Sequence, residues 1–348
     1  MTKKLLATSA LFSTLALAST SFAQTTITGS LDLTLRNTSH SASAGAASET
    51  TMGRESQINI ANKGKLNNGL DYAAGFSLEF DGQNAGSTAD SSLSNEAVYL
   101  NLISGGTTFH VGVDWIQNGK QDLLGAVGDI IDEVGASTVS GTKLTYVGSS
   151  PKESIGAGIV QNFGNGITAS ALYVPNDTNT GTGNNGTSTI STTGTNSAYE
   201  IGIRGVNVAN SGISFDVWRN DKESVTPAST TVRDTEGTAF AINYSKAPFS
   251  AGVASLKTET AVVGTDVKTK MGHLSYAIDK NLTASVVYAK TDDTLAANNA
   301  DEKIKSLMLG YNFGPVGLLV TASKIENLGA ISTGGDVDAV GISLNTKF

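Results

Sequence analysis

The sequence has no cysteine among its 348 residues, and only five prolines and three histidines. The absence of cysteine excludes a disulfide framework, a cysteine-ligated zinc site and thiol chemistry. Charged residues make up 16% of the chain, against about 25% in soluble domains, and the net charge of −8 argues against a protein that coats nucleic acid. Long apolar runs are missing after the N-terminal segment, so the sequence predicts no transmembrane helix there.

The N-terminal segment is typical of an export signal. A short positive start precedes an apolar stretch from Leu5 to Ala18, and Ser21-Phe22-Ala23 offers the small residues that signal peptidase requires. The apolar stretch is shorter than the ~20 residues that a membrane-spanning helix needs. We therefore expect a cleaved signal peptide over residues 1–23 and an exported domain over residues 24–348.

The rest of the chain alternates apolar and polar residues. Within Thr26–Arg36, Ile27, Leu31, Leu33 and Leu35 share one face, and the polar residues share the other. This period of two indicates a β-strand, whereas no helical period persists for three turns. Further alternating segments are Leu70–Phe80, Phe109–Val113, Phe240–Tyr244, Leu274–Ile278, Leu282–Tyr288, Leu307–Phe313 and Val340–Phe348. The sequence therefore predicts an all-β protein.

The connections between these segments are alternately short and long. Lys65–Asn68 and Asp279–Asn281 are short, whereas Asn37–Gly53 and Asn176–Asn196 are long and rich in Ser, Thr, Asn and Gly. A meander with tight turns at one end and long loops at the other is typical of an outer-membrane barrel, whose apolar side chains face lipid while its polar side chains face a wet lumen. At about 10 residues per tilted strand, the chain accommodates about 16 strands.

One region leaves the strand count open. Lys143–Val147 and Ile155–Val160 both have extended patterns, with Ser149-Ser150-Pro151 between them, and counting them separately gives an odd number of strands. Because single-chain bacterial barrels have an even number, we expect the two segments to form one interrupted strand, followed by a tight turn at Asn162–Gly166. The total is then 16 antiparallel strands.

The same alternation also fits a protein that never enters a membrane. An exported, β-rich adhesin or structural protein would bury its apolar face in a sandwich or solenoid, although no fixed repeat period supports this alternative. Aromatic residues near strand ends, including Tyr72, Tyr288 and Phe348, favour the barrel because aromatic girdles lie at membrane interfaces. No catalytic motif or metal-ligand spacing stands out, so we expect no enzyme, no cofactor and no metal.

The order and spacing of several motifs resemble the general porins of Gram-negative outer membranes. Ser56–Phe80 is similar to the second strand, first periplasmic turn and third strand of that family, and Gly105–Asp114, Lys143–Pro151 and Leu274–Lys290 are similar to later family segments. The resemblance implies a passive diffusion channel built as a 16-stranded antiparallel transmembrane β-barrel. It also implies short periplasmic turns, long extracellular loops and a constriction loop folded into the lumen.

The loop that narrows the lumen in this family corresponds to Trp115–Gly141. Lys120 is its only cation among several carboxylates. The resemblance places these carboxylates at the constriction, where an acidic ring favours cations; the alternative is a solvated acidic surface loop. The residues expected there are Asp114, Asp122, Asp129, Asp132 and Glu133.

In members of this family, arginines on the barrel wall lie opposite such carboxylates. Two of the matching positions hold Gln57 and Val113 instead, so the basic wall is largely missing. Arg36, Arg204 and Arg219 are candidates for charges on the lumen wall or at the base of a loop, and Arg204 is the best of them because it shares the polar face of its strand with Glu200. We therefore predict a cation-selective pore whose transverse field is weaker than is usual in the family.

The C-terminal residues suggest how the barrel is assembled. Phe348, Leu344, Ile342 and Val340 occupy alternate positions, which resembles the C-terminal signal of such barrels, although Thr346 departs from it. The resemblance therefore implies the barrel assembly machinery as a partner that recognises Phe348. It also implies contact with outer-membrane lipid or lipopolysaccharide, and a homotrimer.

Overall fold

The computed structural model describes residues 24–41, 49–82, 94–95, 97–113, 155–175, 197–223, 234–259, 266–294, 300–327 and 335–348. Within these ranges the chain forms seventeen β segments, one 3-10 turn (Val208–Asn210) and no α-helix. The segments are β1 (Gln24–His40), β2 (Glu49–Lys65), β3 (Asp71–Gly82), β4 (Ser94–Asn95), β5 (Tyr99–Ser104), β6 (Thr107–Val113), β7 (Ile155–Gly164), β8 (Ile167–Val174), β9 (Ala198–Gly205), β10 (Ile213–Lys222), β11 (Thr235–Lys246), β12 (Phe249–Glu259), β13 (Asp266–Ala277), β14 (Leu282–Asp293), β15 (Glu302–Asn312), β16 (Val316–Glu326) and β17 (Val337–Lys347).

The segments form one closed antiparallel barrel in which chain neighbours pair and β1 pairs with β17. β4 and β5 both pair with β3, and the register shifts by one residue between them. At this irregularity the Ala97 amide donates to the Ser77 hydroxyl at 2.9 Å. The two short segments therefore occupy one position, and the barrel has 16 strands, which confirms the predicted fold class.

The barrel closes between its first and last strands. Eleven residue pairs, from Ser30–Lys347 to His40–Val337, join β1 to β17. The pairing continues one step further, because the Gly29 amide donates to the Phe348 carbonyl at 2.7 Å and the Phe348 amide donates to the Gly29 carbonyl at 3.0 Å. Closure removes the free edges that an open sheet would expose to lipid.

The structure answers part of the question that the sequence left open about the strands after β6. Ile155–Val160 belongs to β7, which pairs with both β6 and β8. Lys143–Val147 lies outside the described residues. The tight turn predicted at Asn162–Gly166 is confirmed, since Asn165 and Gly166 take positive φ values of 52° and 81° between β7 and β8.

Successive side chains of each strand alternate between an exposed outward face and a largely buried inward face. Phe76, Val286 and Ile342 are 37%, 50% and 41% exposed on the outward face. Their neighbours Ser77 and Ser343 are buried on the inward face. The apolar side chains therefore face away from the interior, the reverse of a soluble sandwich.

No helix among the described residues is long and apolar enough to span a membrane.

Part of the inward face is apolar, which the sequence pattern did not predict. Trp218, Leu256, Met271, Ile304 and Ile325 belong to one buried cluster that extends over β10–β17. They occupy inward positions on their strands, beside polar neighbours such as the buried serines of β15 and β16. The lumen wall over β10–β17 therefore mixes apolar and polar inward side chains.

Candidate functional site

The candidate site is the lumen wall, which we define as the inward side chains of the barrel. Among the buried and half-buried side chains of this wall, carboxylates outnumber cations. The carboxylates are Asp32, Glu55, Glu79, Glu200, Asp216, Asp293 and Glu302, and the cations are Arg36, Lys63, Arg204 and Lys222. Because the charge of a pore lining controls which ions enter, this excess of carboxylates bears directly on selectivity.

Arg204 lies on the inward face of β9 with Glu200, as its strand pattern predicted. It is directly opposite Asp216 of β10. Arg204 Nη2 donates to Asp216 Oδ2 at 2.8 Å, and its Nε donates to the same oxygen at 3.3 Å. The Asp216 side chain is 2% exposed, whereas that of Arg204 is 24% exposed. The pair therefore fixes the carboxylate in the wall and leaves part of the guanidinium accessible from the lumen.

Arg36 and Gln57 also lie on the inward face. Arg36 is buried on β1 between the inward threonines Thr34 and Thr38. Gln57 on β2 pairs directly with Glu79 on the neighbouring β3, and its Oε1 accepts a hydrogen bond from Asn59 Nδ2 at 3.3 Å. The uncharged amide of Gln57 therefore lies beside the Glu79 carboxylate, at a position where the resemblance to the porin family led us to expect an arginine.

Arg219 is on the other side of the barrel wall. Its neighbour Trp218 is buried on the inward face, whereas Arg219 is exposed on the outward face of β10. Its Nη2 lies 2.7 Å from Glu236 Oε2 and 3.8 Å from Asp221 Oδ2. Of the two places expected for Arg219, the lumen and the base of a loop, the lumen is therefore wrong: its parity on the strand directs it away from the pore.

The predicted constriction residues lie outside the described part of the chain. These are Asp114, Asp122, Asp129, Asp132 and Glu133, which follow β6. Val113 ends β6, where its backbone pairs with Ile155, and its side chain also lies outside the description. Their role at the constriction stays a prediction.

Two histidines on the lumen wall were not singled out as lumen-lining residues from the sequence. His273 Nε2 lies 3.0 Å from Asn243 Oδ1, and its Nδ1 lies 3.2 Å from the Ser275 hydroxyl. His110 Nδ1 lies 2.7 Å from Asn101 Oδ1 on the neighbouring strand. Strand parity could have found both, since each histidine shares a face with polar residues. These networks line the wall with hydrogen-bonding groups that are held in place by their partners.

Serine and threonine side chains form cross-strand hydrogen bonds on the same face. The Thr269 and Thr291 hydroxyls lie 2.9 Å apart, and those of Ser306 and Ser323 lie 2.7 Å apart. In the described residues no group of three or more His, Asp or Glu side chains could hold a metal ion. The wall therefore presents fixed polar groups and charges to whatever occupies the lumen.

The comparisons with known proteins agree with this architecture. Residues 7–343 match the family model described as Gram-negative porin. The chain belongs to the Gram-negative porin family. As a family member with a closed 16-stranded barrel, the porin is a passive channel of the outer membrane and not an enzyme. The family therefore favours the channel over an exported adhesin.

Solved structures share the fold of this porin at low sequence identity. The anion-selective porin from Comamonas acidovorans is 13% identical, with a TM-score of 0.70 over 94% of this chain and 100% of that chain. A mutant of the Rh. blastica porin is 14% identical, with a TM-score of 0.60 over 93% and 100%. A triple mutant of the Rhodopseudomonas blastica porin is 13% identical, with a TM-score of 0.59 over the same shares. No curated protein sequence matches.

Proposed function

We propose that this porin is a water-filled diffusion channel for small hydrophilic solutes and ions, and that it prefers cations. The observation that supports cation preference is the excess of carboxylates among the buried and half-buried side chains of the lumen wall, seven against four cations. The acidic loop after β6 would add to the same potential if it lies in the lumen. The Comamonas acidovorans porin is described as anion-selective, but at 13% identity that likeness concerns the fold.

The reversal potential across a planar bilayer under a KCl gradient tests this proposal. If K⁺ permeates more readily than Cl⁻, the side with the lower KCl concentration becomes positive, and the reversal potential has the sign that opposes further K⁺ flow. Added salt should weaken the preference because it screens the wall charges. A potential of the opposite sign would overturn the proposed selectivity while leaving the channel intact. Absence of any conductance from the folded protein would contradict the channel itself.

The remaining expectations concern processing and assembly. We propose cleavage after Ala23, recognition of Phe348 by the barrel assembly machinery, contact with lipopolysaccharide and association into a homotrimer. Membership of the porin family supports the homotrimer and the outer-membrane location. N-terminal sequencing of the mature protein would test the cleavage site, and the mass of the detergent-solubilised complex would test the trimer.

A further inference from the structure

A row of lysines lies on the outward face of five consecutive strands, at the end that carries the long loops. Each occupies an outward position, because its neighbours along the strand are inward and mostly buried. The row comprises Lys257 on β12, Lys268 and Lys270 on β13, Lys290 on β14, Lys303 and Lys305 on β15, and Lys324 on β16. We call these seven residues the lysine row.

The outward side chains change character in a fixed order toward the loops. On β14 they are Val286, then Tyr288, then Lys290, then Asp292. The other strands of the row repeat this order from apolar to lysine to carboxylate, ending for example in Glu326 on β16. The lysines are therefore the first charges beyond the lipid-facing band, where the phosphate groups of membrane amphiphiles lie.

The strand register sets lysines directly opposite one another. Directly opposed like charges destabilise an antiparallel pair, so these contacts need a source of negative charge. The opposed pairs are Lys257–Lys268, Lys270–Lys290, Lys290–Lys303 and Lys305–Lys324.

Carboxylates of the protein supply part of this negative charge. Lys290 Nζ lies 2.7 Å from Asp301, and Lys305 Nζ lies 2.8 Å from Glu326. Lys257, Lys268 and Lys303 also have carboxylates within 4.0 Å. Within the described ranges, Lys270 and Lys324 have no carboxylate at salt-bridge distance. They stand on strands three positions apart, about 14 Å at a spacing of about 4.8 Å per strand.

The opposite half of the barrel has a different outward surface at the same level. Its outward side chains include Asn37 on β1, Phe80 on β3, Tyr173 on β8 and Tyr199 on β9. Arg54 on β2 and Arg219 on β10 are also exposed outward, so cations near the loop end occur around the barrel but are densest in the lysine row.

We propose that the lysine row binds the phosphate groups of a glycolipid in the outer leaflet, with Lys270 and Lys324 as the principal contacts. Long loops mark the extracellular end of such barrels, so the row faces the outer leaflet, whose phosphorylated amphiphile is lipopolysaccharide. Each phosphate would meet two opposed lysines and relieve their repulsion. The inference places the lipid contact of the proposed function at named residues.

The test measures binding of fluorescently labelled lipopolysaccharide to the full, detergent-purified porin stripped of lipid. The double variant Lys270→Gln/Lys324→Gln should bind about 30-fold more weakly, since each lysine near a phosphorylated surface contributes about fivefold. Intact lipopolysaccharide should bind more tightly than enzymatically dephosphorylated lipopolysaccharide, and the difference should shrink at high salt. The matched control is Lys246→Gln, an exposed outward lysine at the turn end of β11, which should bind as the unmodified porin does.

The proposal is overturned if the double variant and the Lys246→Gln control bind equally well, or if removal of the phosphates leaves the affinity unchanged. Single-channel conductance of the same preparations keeps this outcome separate from the proposed function. Neither Lys270 nor Lys324 faces the lumen, so conductance should be unchanged in the double variant. If the double variant loses lipid affinity but conducts normally, the result supports the lysine row. If the unmodified porin binds the lipid but does not conduct, the result contradicts only the proposed channel.

Discussion

Arg204 and Asp216 face each other across two strands of the lumen wall, so one pair carries both signs of charge that a passing ion meets. Asp216→Asn should reduce cation preference, and Arg204→Gln should increase it. A unit charge about 4 Å from an ion in water contributes about 1 kcal/mol, or about fivefold in local ion concentration, as an upper limit. Reversal potentials of the two variants should therefore shift in opposite directions.

Arg219→Gln provides the matched control for that pair. Like Arg204→Gln, it removes one positive charge from the barrel wall, but Arg219 lies on the outward face of β10 beside Glu236. Its reversal potential should equal that of the unmodified porin. A shift as large as that of Arg204→Gln would mean that the outward face contributes to selectivity, and that the assignment of the two faces at β10 is wrong.

Asp279 shows how a tight turn between two strands depends on a single carboxylate. In the turn from β13 to β14, Asp279 Oδ1 accepts hydrogen bonds from the amides of Asn281 at 2.6 Å and Leu282 at 2.9 Å. These bonds favour the charged form and lower the pKa of Asp279 below its usual value of 3.8. The carboxylate therefore stabilises the folded turn above that pH, and this contribution is lost as the pH falls through the lowered pKa.

Asp279→Ala should accordingly destabilise the barrel at neutral pH and by a smaller amount in acid, where the native carboxyl is itself protonated. Asp279→Asn retains an oxygen that can accept the two amides, so it should be milder and show a weaker dependence on pH. Urea unfolding of the refolded protein at several pH values measures both effects. A penalty for alanine that does not diminish in acid would show that the turn does not depend on the charge.

The strands were predictable from the sequence where one face meets lipid, because lipid requires an apolar residue at every second position. β1 and β17 follow this rule along most of their length, and Arg204 was placed correctly by the same rule. The face of Arg219 was not predictable from polarity because the pattern reverses at this point of β10: the apolar Trp218 is inward and the charged Arg219 is outward. The face of such residues follows from register with neighbouring strands, which a single sequence does not reveal.

The inward apolar cluster and the constriction loop illustrate two other limits. Val286 and Val287 are adjacent valines, of which one faces outward and the other is buried on the inward face. A pattern based on polarity does not distinguish them. The acidic residues between Asp114 and Glu133 follow no strand pattern in the sequence, so their place at a constriction could be named only through the family resemblance.

Closure of the whole barrel depends on the contact between its two ends. Phe348 lies over Gly29, and a Cβ at Gly29 would collide with the Phe348 ring. Gly29→Ala should therefore force the ring aside; because the Phe348 ring is 73% exposed and can move, the closed barrel should lose less than the ~1–3 kcal/mol that overpacking costs in a well-packed core. The fraction of protein that keeps its folded mobility in a denaturing gel before heating measures this effect.

Gly272→Ala is the control for closure, because a Cβ at Gly272 would meet its nearest neighbours at 3.4 Å and 3.6 Å. This variant adds the same methyl group within a strand that does not join the two ends of the chain. Folding should therefore remain close to that of the unmodified porin. Equal losses of the folded form in both alanine variants would show that strand glycines matter generally and that the Phe348 contact has no particular role.

The orientation of the two faces is a property of the whole molecule, and Val286 tests it directly. Val286 is 50% exposed on the outward face near the middle of β14, where a lysine facing lipid costs about 2–4 kcal/mol. Val286→Lys should therefore reduce insertion into phospholipid vesicles sharply, while Val286→Leu should insert as the unmodified porin does. If Val286→Lys inserts with unchanged efficiency, then this face does not meet lipid, because water or another protein surface is the only environment that would accept the charge without that cost.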